Sequence, residues 1–208
     1  MQNSLHDVYL QTMMLMRKRF DKINAEREHT IDVFLKAEAC ALQGRKIIEG
    51  IAHGCVIALS KGIGRASRSF THGWNAEKIL GVLSKNQYES VFPSPSIMRG
   101  SSSTELAMHG TSITVEGVPD RRIVRAELVR MYNRLHVWNH EINPFKYPDG
   151  QLDFLTMHEQ RLWDDLIVLW KFIEKHAVSL NGQMFFCVLK DNIDGNVKLL
   201  SLSKKNDI

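Results

Sequence analysis

The stretch Thr30–Leu59, TIDVFLKAEACALQGRKIIEGIAHGCVIAL, decides the fold class. Its apolar residues Ile31, Phe34, Leu35, Leu42, Ile48, Ile51, Cys55 and Leu59 fall at helical steps, the pattern of a long helix with one face buried. Thr30 is placed to cap it, and Gly62 and Gly64 to end it. No proline interrupts the first 63 residues, and a helical segment over about 4–25 precedes this one. Arg45 and Glu49 within it have the four-residue spacing of a same-face ion pair.

Working outward, residues 71–86 predict a shorter helix with Trp74, Ile79, Leu80 and Leu83 inward. Phe92-Pro-Ser-Pro95 forces an extended connection. The linker-like Gly100-Ser-Ser-Ser103 follows, and Leu106 to Val115 reads as a small hairpin turning at His109-Gly110. A third strong helix is expected over about Asp120 to Glu141, with Val124, Leu128, Met131, Leu135, Trp138 and Ile142 inward. A fourth is expected over about Phe154 to Leu180. In the tail, Met184–Leu189 and Val197–Leu202 flank Asp194-Gly195, a turn signal for a second hairpin. Trp74, Trp138, Trp163 and Trp170 all sit at positions of helical packing.

The expectation is one mainly α domain over 1–208, of α+β type. It comprises a helical bundle over 1–180, a hairpin inserted near 106–116, and a C-terminal β-hairpin over 184–203 that pairs with the inserted one. A chain of 208 residues with 44% hydrophobic and 24% charged content is long enough for one well-buried core. Three widely spaced cysteines, Cys40, Cys55 and Cys187, suggest neither a disulfide framework nor a CxxC clip. That points to a reducing, cytoplasmic setting. No stretch approaches the roughly 20 apolar residues of a membrane span, and Arg17-Lys18-Arg19 follows the apolar run Val8–Met16, where a signal peptide carries its charges in front. The chain lacks GxxxxGK[ST], GxSxG and a strand-borne GxGxxG.

Chemistry concentrates in Arg130–Phe145, RMYNRLHVWNHEINPF. Arg134, His136, Asn139, His140 and Asn143 crowd the end of a helix that Pro144 stops. Arginine and histidine together bind a phosphodiester and move a proton near neutral pH. Asn133, His136 and His140 share one helix face. Residues six apart on an unbroken helix, such as Arg134 and His140, point about 120° from each other, so they meet only if the helix ends early, the arginine reaches round, or a second subunit completes the site. Arg121, Arg122, Arg125, Arg130 and Arg134 put five guanidinium groups along the same predicted helix, enough to track a nucleic-acid backbone, and the net charge of +4 permits such a partner. His136 and His140 also have the i, i+4 spacing of a metal pair, with Glu141 or Asp149 as third ligands. The zincin glutamate is replaced by Val137, so no metal or other cofactor is expected.

An arginine, five intervening residues and a histidine near the end of a core helix resemble the HEPN superfamily, helical bundles that include RNA-cleaving toxins and antiviral effectors. Arg134 with His140 fits that motif, as does Arg130 with His136. Leu135 and Met131 stand where the family often has a polar residue after the arginine. The resemblance implies a metal-independent endoribonuclease acting as a homodimer on RNA, with a toxin or phage-defence role and an antitoxin-like protein partner. Arg134 would grip phosphate and His140 would serve in acid/base catalysis. Arg130, His136, Asn139 and Asn143 would hold substrate. Arg45-Lys-Ile-Ile-Glu49, His72-Gly-Trp-Asn75 and His140-x-x-Asn-Pro-Phe145 also resemble segments of uncharacterised bacterial proteins. The rival expectation is a non-catalytic interaction module whose arginines bind nucleic acid or an acidic protein.

Overall fold

The computed structural model describes residues 4–28, 32–59, 75–85 and 91–202. Thr30, Ile31, Gly62, Gly64, His72 and Trp74 lie outside them. The first helix, α1 (Leu5–Glu28), buries Tyr9, Met13, Met16, Phe20 and Ile23. Those residues are three or four apart, so they form one stripe against α2 (Val33–Leu59). The α2 helix opens at Asp32, whose carboxylate accepts hydrogen bonds from the Phe34 and Leu35 backbone N–H groups at 2.8 and 3.2 Å. An aspartate at this position satisfies donors that the first helical turn leaves free.

Small residues on α2 let its neighbours approach closely. A Cβ built on Gly44 would stand 2.7 Å from Leu166 Cδ2 and 3.0 Å from Leu135 Cδ1. Those leucines belong to α5 (Arg125–His136) and α6 (Gln151–Ile173), so both helices close on α2 at this one glycine. Leu135 and Leu166 are themselves buried and have little room to yield. Gly44→Val is therefore expected to cost about 2 kcal/mol through overpacking, read as a lowered urea midpoint with an unchanged slope. An unchanged midpoint would mean that the three helices separate more easily than this spacing implies.

A short helix, α3 (Ala76–Lys85), is capped by Asn75 Oδ1, which accepts from Glu77 N–H at 2.9 Å. It buries Ile79, Leu80 and Leu83, as the sequence predicts. Beyond it the local structure departs from expectation. Ser94–Gly100, read as a connection running into a linker, forms strand β1. Residues 103–109 then form helix α4 (Ser103–His109) rather than the first arm of a hairpin. Ser102 and Glu105 make a reciprocal capping box at its start, and Gly110 ends it in the left-handed region at φ 61°. Strand β2 (Ile113–Gly117) then returns antiparallel to β1.

The third predicted helix is shorter than its pattern. A 3-10 turn occupies Pro119–Arg121, Val124 is extended and exposed, and α5 runs only from Arg125 to His136. The fourth is cut at Ile173. Residues 175–180 form strand β3 (Lys175–Leu180), which turns at Asn181-Gly182 into β4 (Gln183–Val188). Asn181 and Gly182 have φ of 53° and 83°, the pair of positive angles that a two-residue hairpin turn requires. Strand β5 (Lys198–Leu202) follows the Asp194-Gly195 loop. The sheet order is β2-β1-β3-β4-β5, antiparallel throughout. The tail hairpin thus joins the inserted strands through β1 and β3 instead of pairing with 106–116 directly. The architecture is mainly α with a small β element, as the sequence implies.

Buried His176 stitches sheet to bundle. Its Nδ1–H donates to the Ile173 carbonyl at 2.9 Å, leaving Nε2 to accept from the Tyr9 hydroxyl at 2.8 Å. No helix among the described residues is long and apolar enough to cross a membrane.

Candidate functional site

Helix α5 ends before the histidine it was expected to carry. After His136 the chain tightens into a 3-10 turn, Val137–Asn139, and His140 is extended at φ −121°, ψ 153°. Trp138 in the middle of that turn is 2% exposed. It packs edge-on against Phe154 of α6, with ring centroids 4.8 Å apart. The buried tryptophan fixes the corner, and the polar residues on either side are left at the surface. His136 and His140 are both exposed, and their Nε2 atoms lie 3.0 Å apart. One imidazole Nε2–H donates to the other, whose Nε2 lone pair accepts. Burial on its helix side holds His136 below the ordinary histidine pKa, and the nearby Arg45 charge adds to that.

Arg134 faces the other way. Its Nε–H and one terminal N–H grip both oxygens of Asp165 at 2.8 Å each, and the same terminal nitrogen donates to Glu127 Oε1 at 2.8 Å. Asp165 is 3% exposed, and Arg161 approaches it at 3.4 Å. Two carboxylates hold the Arg134 pKa well above its usual value, the Asp165 hydrogen bonds most strongly. The forked pair joins α5 to α6 beside a cleft of about 160 Å³ that His158, Arg161 and Trp138 also line. His136 and His140 do not line that cleft. The early helix end turns His140 toward His136, so the fold brings the two histidines together and sends Arg134 to a separate pocket.

The other expected site residues scatter around the corner. Arg130 is largely exposed and donates to Glu127 Oε2 at 2.6 Å. Asn143 accepts the Phe145 backbone N–H at 2.9 Å, shaping the turn before Pro144. Asn139 Nδ2 is buried and has no partner among the described residues. Of the five guanidinium groups, Arg121 pairs with Glu174, and Arg130 and Arg134 share Glu127. Arg125 is buried, 5.1 Å above the Phe92 ring. These arginines do not form one free basic face.

A different arginine reaches the histidine corner. Arg45 of α2 stacks on Tyr132 of α5, 4.5 Å from the ring centroid, and donates to its hydroxyl at 2.7 Å. The Tyr132 hydroxyl donates in turn to Glu49 Oε1 at 3.1 Å. The expected Arg45–Glu49 link therefore runs through a tyrosine of the neighbouring helix. Among the described residues Arg45 enters no ion pair, and its Nε is buried without a partner. Beyond Glu49 the surface of α2 continues into a groove of about 290 Å³ against α1, rimmed by Arg19, Lys46 and His53. The exposed strip of α2 is thus the floor of a valley with α1 on one side and α5 on the other. Neither Tyr132, whose spacing reads as packing, nor His53 stands out in the sequence.

The cysteines contribute no reactive group. Cys40, Cys55 and Cys187 are all buried, and burial raises Cys40 to about 11 and Cys55 to about 12. Trp163 and Trp170 are only partly buried and line a shallow groove with Phe20 and Arg27. Among the described residues no three His, Cys, Asp or Glu side chains gather as a metal cluster, so Glu141 and Asp149 do not complete a third position beside the histidines. No protein-family model matches this chain, nor does any curated protein or solved structure.

Proposed function

We propose that this chain is a metal-independent, HEPN-like endoribonuclease whose reacting groups sit at the His136–His140 corner. The observation that carries the reading is an exposed pair of imidazoles 3.0 Å apart with the Arg45 charge close to His136. His140 takes the proton from a ribose 2′-hydroxyl, whose oxygen attacks the adjacent phosphorus. The bond to the 5′-oxygen breaks, a 2′,3′-cyclic phosphate forms, and the proton passes to the departing oxygen. His136 holds His140 in position. Arg45 takes the phosphate-binding part first expected of Arg134, because Arg134 is committed to Asp165 and Glu127. In this reading Asn139, Asn143 and exposed Arg130 contact flanking nucleotides, and the α2 valley with Lys46 and Arg19 offers a path for the backbone. Homodimer formation, an antitoxin-like protein partner and a toxin or phage-defence role belong to the same proposal.

The test is cleavage of a mixed RNA pool in EDTA by the wild type and His140→Ala. The expected result is cyclic-phosphate ends from the wild type and a rate about 10²–10⁴ lower in the variant. Equal cleavage by both would sink the assignment of His140. The rival reading is a non-catalytic interaction module for nucleic acid or an acidic protein, with exposed Arg130 among its contacts, and RNA is then bound without being cut.

A further inference from the structure

The same corner has the geometry of a metal chelate, and this stands apart from any RNA chemistry. Nitrogen ligands bind first-row divalent ions at about 2.1 Å. Two nitrogens 3.0 Å apart and each about 2.1 Å from one ion subtend roughly 90° at it. That is the angle between neighbouring positions of a tetragonal or octahedral ion, and it is narrower than the tetrahedral angle zinc prefers. The rings are near-perpendicular at 75°, with centroids 4.4 Å apart, and both residues are exposed to solvent. The backbone sets the two residues side by side. His136 ends α5, the intervening turn is anchored by buried Trp138, and His140 follows in extended conformation. A site set by a rigid turn loses little entropy when an ion arrives.

We propose that His136 and His140 chelate a divalent copper or nickel ion through their Nε2 atoms. The ion takes the place of the proton the two rings share, and that proton moves to Nδ1 of its own ring. Water fills the remaining positions, since no third protein ligand stands nearby among the described residues. The Arg45 charge close to His136 opposes a cation, which sets the expected affinity in the micromolar range. An occupied pair has no free Nε2 for proton transfer, so the ion is an inhibitor wherever the pair is catalytic.

The experiment is titration of EDTA-stripped, full-length protein with copper(II) or nickel(II), free of RNA, followed by calorimetry and by NMR of the histidine rings. One equivalent is expected to bind, with paramagnetic broadening first at His136 and His140. His136→Ala and His140→Ala should each weaken binding at least tenfold, while His6→Ala leaves it unchanged. Both corner residues are exposed, so circular dichroism should report folded variants, and the wild-type broadening needs no variant. Broadening centred on other histidines, or equal affinity in all the proteins, would overturn the proposal. The nuclease reading can fail without altering this titration.

Discussion

Arg134→Ala should destabilise the protein by about 3 kcal/mol, because it leaves the Asp165 carboxylate charged and almost fully buried without its forked partner. The loss comes from the stranded charge more than from the missing attraction. Two further variants isolate that cause. Arg134→Lys keeps the charge but cannot match both carboxylate oxygens at once, so it should recover only part of the loss. Arg134→Ala combined with Asp165→Asn removes the buried charge, which in the single variant Arg161 alone faces at 3.4 Å, and should recover more than half. Urea denaturation measures all three. A double variant no more stable than Arg134→Ala would show that Asp165 is stabilised from elsewhere. The same proteins bear on the chemistry. If Arg134 fastens α5 to α6 and does not touch phosphate, Arg134→Lys should cleave RNA at nearly the wild-type rate at temperatures where it is folded. A collapse of activity in folded Arg134→Lys would return the phosphate-binding part to Arg134.

Acid should weaken the join between sheet and bundle before it titrates most carboxylates. His176 is completely buried, and burial pushes its pKa down to about 4 from an ordinary 6.5. The folded state therefore resists a proton that the unfolded chain accepts. His176 contributes fully above about pH 6.5, and the contribution fades as pH falls toward 4. Over that interval the loss amounts to about 3 kcal/mol. His53, His136 and His158 are also held below the ordinary histidine value, each chiefly by burial, so the wild-type curve sums several groups. Glu105 and Asp194 are depressed to about 2 by their hydrogen-bonding partners and act at lower pH. Comparison with His176→Phe isolates the buried imidazole. The variant loses the Tyr9 hydrogen bond and should be less stable at pH 7.5, yet its stability should change less between pH 6.5 and 4.5. Parallel pH curves for the two proteins would mean that His176 admits a proton without opening the join.

The long helices were legible because a single apolar stripe repeats over many turns. α1 and α2 contain such stripes, and the hydrophobic effect leaves a chain with that pattern few other ways to bury them. Where expectation failed, a local signal had been outweighed by periodicity. Lys175–Leu180 continues the apolar spacing of α6 closely enough to read as helix, but Asn181-Gly182 forms a tight turn that only a hairpin uses. Ser102 and Glu105 are a helix-start signature three residues apart, hidden in a stretch that reads as a linker.

The sequence by itself determined the helical class, most of the core stripes (Leu35, Leu42 and Val124, expected inward, are exposed), the tail hairpin and the crowding of polar residues before Pro144, all of which depend on neighbours in the chain. Only the tertiary structure decided which of those polar groups face one another. Arg134 and His140 are six residues apart, but the direction of each side chain depends on where α5 stops and on the carboxylate α6 presents, and Asp165 lies 31 positions away. Arg45 reaches the histidine corner through Tyr132, a contact across 87 positions. Spacing along one helix fixes its own faces, whereas a site assembled from three helices depends on how their buried surfaces fit together.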